Sequence, residues 1–178
     1  VVNVALAGCG VVGGGVVEIL KARTDYFSSL GIEFCIRKIL VNNVNKKRDY
    51  KLPKGAVFTS SLDDVLSDPL VDLVVEVMGG VTDARTVVFG ALEAGKSVVT
   101  ANKALISKFM PELEKTLKGV ADNVYFGYEA SVGGGIPIVK SLQDFVSVDE
   151  VTQISGILNG TTNYMLSKMN SSGCSYEE

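Results

Sequence analysis

Apolar and polar positions alternate along the chain with two periods, one typical of buried strands and one typical of helices. Residues 2–7 are apolar apart from Asn3, which predicts a parallel strand buried on both faces. A glycine-rich turn follows, and from residue 11 to 23 apolar side chains recur at the spacing of a helix with one buried face. The next apolar run, at 34–41, predicts a second strand.

The same two periods divide the rest of the chain. Ser60, three residues before Asp63, predicts a capped short helix at 62–66. Gly95 is placed to end a helix in a left-handed conformation, and Pro111 is expected to interrupt another. The remaining predicted strands are 72–77, 97–100, 124–128 and 152–158, and the remaining predicted helices are 83–94, 104–118, 136–145 and 161–169.

Strands and helices that alternate in this way pair in parallel and are joined by right-handed crossovers. The predicted fold class is therefore α/β, with a Rossmann-like doubly wound parallel sheet. The sheet is nearly complete by Glu129, so the segments after it are expected to open a second domain of α+β type.

Composition narrows the kind of partner. The 178 residues are 47% hydrophobic, which is enough for a packed core, and the formal net charge is −3. Lys and Arg are scattered, so we expect a small molecule as partner, and neither a nucleic acid nor a membrane. No apolar run approaches the roughly 20 residues that span a bilayer, and the first residues lack the pattern of a targeting segment.

Cysteine and histidine counts restrict the compartment and the chemistry. Cys9, Cys35 and Cys174 lack the spacing of a metal site, which indicates reduced thiols and a cytoplasmic protein, or a plastid stromal one if the source is a photosynthetic eukaryote. The sequence contains no histidine, the usual general base, zinc ligand and activator of nucleophiles. Proton transfer must therefore use Lys, Asp, Glu or Tyr.

A glycine motif, GxGxxG, lies between the first predicted strand and the first predicted helix. Its first glycine permits a tight turn, its second admits a pyrophosphate, and its third lets helix and strand pack closely. The amino end of the helix favours an anion there. Residues 1–130 are therefore predicted to form a dinucleotide-binding domain, and 131–178 to begin a second, incomplete domain. The predicted cofactor-binding residues of the turn are Gly8, Cys9, Gly10, Val11, Val12 and Gly13.

The end of the second predicted strand leaves the choice of cofactor open. An acid that binds the ribose 2′-hydroxyl of NAD is expected there, but this chain has Asn42 and Asn43, of which Asn42 is predicted to contact the cofactor. Lys46, Lys47 and Arg48 follow closely and could bind the 2′-phosphate of NADP. The same three residues could equally form a solvated basic loop.

Two further segments, 76–80 and 100–103, leave the carboxyl ends of predicted strands, where open α/β sheets bind ligands. Gly79 in the first and Thr100 in the second are predicted to contact the cofactor. Lys103 is expected to lie beside the nicotinamide and to hydrogen-bond a substrate carboxylate or oxygen, which makes it the predicted catalytic residue. The alternative is an ordinary surface lysine.

Two polar loops complete the candidate chemistry. Three consecutive glycines at 133–135 could turn carbonyls toward a cation or N–H groups toward an anion, or could simply give flexibility between domains. The loop at 159–163 opens a helix and is suited both to capping and to holding a polar substrate. Its predicted substrate-binding residues are Asn159, Gly160 and Thr161.

Together these motifs resemble the homoserine dehydrogenase family in order and spacing. The resemblance covers essentially the whole chain, and the segments that carry it are 8–13, 75–80, 99–104, 128–138 and 156–164. It implies an oxidoreductase that interconverts L-homoserine and L-aspartate 4-semialdehyde with NAD or NADP, a step in threonine and methionine biosynthesis. It also implies a homodimer, in which 131–178 begin the domain for substrate binding and dimerisation.

The resemblance implies roles for particular residues as well. It places Lys103 near the nicotinamide and the substrate, and it places the family's proton-transfer lysine downstream of 159–163, beyond Glu178. It further implies a monovalent cation, Na⁺ or K⁺, held by Glu129 and by the carbonyls of Val132, Gly134 and Ile136. Asn42 and Asn43 depart from the Arg-Asp pair that the family often shows, so the cofactor preference does not carry over.

Two other interpretations remain open from the sequence. Tyr164 and Lys168 lie one helical turn apart, like the acid and its partner in a short-chain dehydrogenase, although the glycine spacing is not that of that family. A Rossmann domain can also bind or sense NAD(P) without catalysis, because a fold does not determine a function.

Overall fold

One parallel sheet organises the first part of the chain in this computed structural model, which describes residues 1–48, 52–157 and 159–177. The strands are β1 Val2–Ala7, β2 Phe34–Leu40, β3 Val57–Thr59, β4 Leu73–Glu76, β5 Ser97–Thr100 and β6 Phe126–Gly127. They lie in the order β3-β2-β1-β4-β5-β6, and each neighbouring pair is parallel. Doubly wound sheets that bind dinucleotides have this order, which reverses between β1 and β4. The predicted fold class is confirmed.

Helices cover the sheet and make up the segment that follows it. They are α1 Val11–Ala22, α2 Thr24–Ser29, α3 Asp63–Leu66, α4 Thr82–Glu93, α5 Lys103–Leu117, α6 Ile138–Val146 and α7 Gly160–Ser172, with a short 3-10 helix at Glu129–Ser131. The chain divides into two compact units, Val1–Ser131 and Val132–Glu178. The first contains the sheet and the second contains α6 and α7. Within the described ranges, no helix has the length and apolar character needed to cross a membrane.

The central strand β1 is buried on both faces. Leu6 belongs to a cluster with Val17 of α1, whereas Ala7 belongs to a second cluster with Leu92 of α4. Successive side chains of a strand point to opposite faces, so both faces of β1 must be apolar. This explains the nearly unbroken apolar run that opens the sequence.

The second unit departs most from prediction. Residues 152–157 form no strand, so that prediction is wrong, and Leu158 lies outside the described residues. A strand is stable only when its N–H and C=O groups pair with a neighbour, and the described residues of this unit contain no strand to pair with. The helix predicted at 161–169 is confirmed within the longer α7.

The capping prediction for α3 is also wrong. Ser60 does not cap this helix, and the Asp64 N–H points instead to Ser61 Oγ at 3.4 Å. The prediction misses by one residue because Ser60 and Ser61 are adjacent, and either short side chain could make this contact. The short elements α2 and β3 were not predicted, since each has too few residues to display a period.

Pro111 does not interrupt α5, which continues through it. A proline inside a helix costs about 3 kcal/mol, because it removes one hydrogen bond and crowds the preceding turn. Leu105 and Leu113, on either side of the proline, are fully buried in the core. Burial of such side chains contributes about 1.5–3 kcal/mol each, so packing offsets the loss.

Candidate dinucleotide site

Two glycines let β1, α1 and the end of β4 approach one another. Gly8 follows β1 with a φ of +95°, and a Cβ on it would lie 2.8 Å from the carbonyl oxygen of Val77. A Cβ on Gly13 would overlap the carbonyl oxygen of Gly8. Any other residue at either position would therefore push the helix or the neighbouring turn away.

Gly10 differs from these two because its missing side chain faces open space. A Cβ built there would meet no atom within 4 Å. Gly10 is also the N-cap residue of α1, and no side-chain cap of this helix is found among the described residues. The first N–H groups of a helix have no intrahelical partner and, with the helix dipole, favour an anion. The turn thus offers an empty space beside free donors, which fits a pyrophosphate.

A cleft of about 360 Å³ opens at this turn, along the carboxyl ends of β1, β2 and β4. The predicted cofactor residues that line it are Gly8, Cys9, Gly10, Asn42 and Gly79. Its other lining residues are Leu40, Val41, Asn43, Lys46, Arg48, Val77, Met78 and Asp83. Val11 and Val12 do not line the cleft and lie 94% and 57% exposed at the start of α1.

The basic loop after β2 has a defined shape in which Arg48 is held at one end of the cleft. Its guanidinium donates to the carbonyl oxygens of Lys46 at 2.8 Å and Asn43 at 3.0 Å. It also lies 4.4 Å from the ring centroid of Phe58 in β3. Lys46 lines the cleft as well, whereas Lys47 does not. A cation therefore lies close to Asn42, where the adenosine ribose is expected.

A buried carboxylate, which sequence reasoning did not single out, lies beneath the end of β4. Glu76 is fully buried, and its Oε1 accepts from the Met78 N–H at 2.7 Å. Its Oε2 accepts from the Thr100 hydroxyl at 2.5 Å. Thr100 is also fully buried, so its side chain lies in the core and does not line the cleft. An acid within an otherwise apolar strand was the signal for this contact.

The hydrogen bonds continue from Thr100 to the start of α5. Thr100 Oγ1 accepts from the Asn102 N–H at 3.0 Å, and Asn102 Oδ1 caps α5 by accepting from Leu105 N–H at 3.1 Å. Asn102 Nδ2 donates to the carbonyl oxygen of Gly80 at 2.7 Å. Lys103 is the first residue of α5, and its side chain is exposed. The contacts fix the backbone from which Lys103 projects, while its catalytic role stays a prediction.

The predicted ligands of the monovalent cation belong to both compact units. Glu129 begins the 3-10 helix of the first unit, and Val132, Gly134 and Ile136 belong to the second. Ile136 uses its carbonyl to accept from the Ile138 N–H at 2.9 Å. No group of three or more His, Cys, Asp or Glu with metal-binding geometry occurs among the described residues. The cation site stays a prediction.

The predicted substrate loop begins α7. Asn159 Oδ1 accepts from the Thr162 N–H at 3.0 Å, so the capping prediction is confirmed. Gly160 and Thr161 are exposed in the first turn of this helix, and binding of substrate there stays a prediction. Tyr164 lies 67% exposed on the same helix.

A parallel sheet in this order, with a glycine turn and an uncapped helix where the order reverses, defines a Rossmann-type dinucleotide-binding domain. Residues 8–126 match the family model described as "Homoserine dehydrogenase, NAD binding domain", and residues 137–178 match the one described as "Homoserine dehydrogenase". The chain belongs to the homoserine dehydrogenase family. The resemblance inferred from the motifs is confirmed, and the short-chain dehydrogenase interpretation is wrong.

Individual relatives agree with this assignment. Over 99% of its length, the chain is 43% identical to the homoserine dehydrogenase of Bacillus subtilis, of which it covers 40%. It is 39% identical to that of Synechocystis, with coverage of 99% and 40%. A homoserine dehydrogenase structure from Thiobacillus denitrificans has a TM-score of 0.88 and 36% identity, covering 99% of this chain and 40% of that one. The chain thus spans about 40% of the length of these relatives.

Proposed function

We propose that this chain provides the NAD(P) site of a homoserine dehydrogenase, which interconverts L-homoserine and L-aspartate 4-semialdehyde by hydride transfer. The observation that carries the proposal is the open position beside Gly10 at the uncapped start of α1, in a domain that matches the family's NAD binding domain. The nicotinamide cofactor supplies the hydride chemistry when it is bound, and the protein binds and orients it.

Each half of the sheet has its own task in this proposal. Doubly wound sheets consist of two mononucleotide-binding halves that meet where the strand order reverses. The adenosine half is β1 to β3 with Asn42 and Arg48, and the nicotinamide half is β4 to β6 with the start of α5. Lys103 is exposed at that start, and its proposed role is to hydrogen-bond a substrate carboxylate or oxygen.

We further propose that NADP binds at least as well as NAD. Neither Asn42 nor Asn43 carries a charge that would repel a 2′-phosphate. Arg48 already lies at that end of the cleft, held by two carbonyl oxygens and an aromatic ring. A guanidinium held in place loses little freedom when it binds a phosphate.

The direct test has two measurements. The purified chain is titrated with NADPH and NADH by dihydronicotinamide fluorescence, and the product of the complete gene is assayed with L-homoserine by NAD(P)H absorbance. Binding together with homoserine-dependent reduction is the expected result. Binding without turnover would favour a non-catalytic NAD(P)-binding role, and a chain that binds neither dinucleotide would contradict the proposal.

The assembly and the compartment are part of the same proposal. We expect a homodimer that acts on a small molecule in the cytoplasm, on the basis of the family and of Cys9, Cys35 and Cys174, none of which forms a disulfide with another described residue. Sedimentation of the complete gene product checks the dimer. Fractionation of the source cells checks the compartment.

A further inference from the structure

Glu76 is a charged side chain in a place where an apolar one would be expected to suit folding better. It is fully buried in β4, and within the described residues no Lys or Arg forms a salt bridge with it. A carboxylate in such surroundings is costly unless hydrogen bonds satisfy it, and an apolar side chain of similar size is often as stable. A role beyond stability would explain its presence.

The directions of the hydrogen bonds show what Glu76 holds. The Met78 N–H can only donate, so Glu76 Oε1 is an acceptor. The Thr100 hydroxyl donates its single hydrogen to Glu76 Oε2, and its oxygen accepts from the Asn102 N–H. Both carboxylate oxygens therefore accept, one from the turn after β4 and one from the end of β5.

We propose that Glu76 is a positioning residue for the nicotinamide half of the dinucleotide site. It fixes the turn that carries Met78 and Gly79 into the cleft, and through Thr100 and Asn102 it fixes the start of α5. Asn102 also connects these two segments directly, by donating to the carbonyl oxygen of Gly80. This inference rests on the proposed function, because it assumes that a nicotinamide dinucleotide occupies the cleft.

Substitutions of similar size separate this role from ordinary stabilisation. Glu76→Gln leaves one acceptor oxygen in place of two, so the Met78 N–H and the Thr100 hydroxyl hydrogen cannot both keep their partner. Thr100→Val removes the hydroxyl, whereas Thr100→Ser keeps it and serves as the conservative rescue.

The chain also offers a matched control for the loss of a threonine hydroxyl. Thr59 Oγ1 donates to Asp64 Oδ2 at 2.5 Å, the same kind of bond, at the end of the edge strand β3. Thr59 does not line the cleft. Thr59→Val should therefore lower the melting temperature without changing cofactor affinity.

Calorimetric titration with two ligands tests the proposal. The wild-type chain is titrated with NADPH and NADH, and each variant is then titrated with the tighter of these and with the matching ADP-ribose compound, which lacks nicotinamide. Leaving a buried donor unpaired should weaken dinucleotide binding by about tenfold or more in Glu76→Gln and Thr100→Val. Affinity for the ADP-ribose compound should change by less than about twofold, within the range of a surface effect.

Each result decides the question. Thr100→Ser near wild type and Thr59→Val with unchanged affinity support the positioning role. Equal losses for both ligands, or no loss for either in folded variants, would overturn it. A wild-type chain that binds neither dinucleotide would contradict the proposed function instead, so the two failures are distinguishable. Melting curves of every variant show whether it is folded at the temperature of the titration.

Discussion

The two sides of the proposed dinucleotide site are built differently. Glycines, which have no side chain, leave space on the adenosine side, whereas buried polar side chains hold the backbone on the nicotinamide side. Gly8, Gly10 and Gly13 bring backbone donors to the cleft by leaving space. Glu76 and Thr100 hold the neighbouring backbone from within the core. Substitutions should therefore weaken cofactor binding in different ways on the two sides. A new side chain would fill the space on the adenosine side, and loss of a hydrogen bond would loosen the backbone on the nicotinamide side.

The largest expected effect is obstruction of the turn by Gly10→Val. The φ of Gly10 is −84°, which L-residues adopt, and a Cβ there meets nothing, so the domain should fold. The new side chain would occupy the space of the pyrophosphate. Loss of several charge-assisted hydrogen bonds should weaken NADPH binding by at least about a hundredfold in calorimetry.

Gly15 provides the control for this substitution. It lies in the same helix, and a Cβ on it also meets nothing within 4 Å, but it does not line the cleft. Gly15→Val should bind NADPH like the wild type. Unchanged affinity in folded Gly10→Val, or an equal loss in Gly15→Val, would show that the space beside Gly10 is not the phosphate site.

The next effect concerns only the adenosine side. Arg48→Ala removes the cation beside Asn42, and we expect NADPH affinity to fall about tenfold, as for a lost charge-assisted hydrogen bond, with NADH affinity within about twofold of wild type. Lys47→Ala is the control, since Lys47 does not line the cleft. If Arg48→Ala weakened both cofactors equally or changed neither, the loop would have no part in selecting NADP.

The glycine turn was predictable from sequence because its requirements are local. Gly8 must adopt a positive φ, and Gly13 must pack against a residue five positions earlier. Those demands leave a fixed spacing in one short segment. The sheet order follows similarly from alternating periods and short crossovers.

The polar network was not predictable, because its partners are far apart in sequence. Glu76 and Thr100 are 24 positions apart and meet only because β4 and β5 pair in register. The fixed geometry of Arg48 likewise depends on Phe58 in β3, a strand too short to be predicted. A single acid in an apolar strand signals that some partner exists, without identifying it.

A smaller effect is expected at Asn102, which caps α5 and also binds the turn after β4. Asn102→Ala removes both the cap of α5 and the bond to Gly80, so it should lower stability by about 0.5–2 kcal/mol in urea unfolding. One lost hydrogen bond at the turn should also weaken NADPH binding by about two- to tenfold. Asn159→Ala removes an equivalent cap from α7, in the second compact unit, and is the control. The two variants need not lose the same stability. An equal loss of NADPH affinity in both would contradict a specific role of Asn102 in cofactor binding.

The smallest effect lies away from both sides of the cleft, at Asp68, and depends on pH. The Leu70 N–H donates to this carboxylate at 2.9 Å, and with the charges of Lys38 and Arg37 it holds the pKa of Asp68 below its ordinary value of 3.8, against the opposing effect of burial. Because the folded pKa is the lower one, the carboxylate stabilises the fold at pH values above 3.8, and this contribution is lost as the pH falls through the folded pKa.

Asp68→Asn should therefore lower the free energy of unfolding at neutral pH by less than about 1 kcal/mol, since its ion pairs with Lys38 at 3.6 Å and Arg37 at 3.9 Å are long and only partly buried. The difference between variant and wild type should shrink as the pH falls below 3.8. Asp122→Asn, at an exposed position, is the control. NADPH affinity should not change in either variant, because neither residue lines the cleft. A difference that grew on acidification would mean that Asp68 is more easily protonated in the folded chain than in the unfolded one, and that the Leu70 N–H does not hold it as an anion.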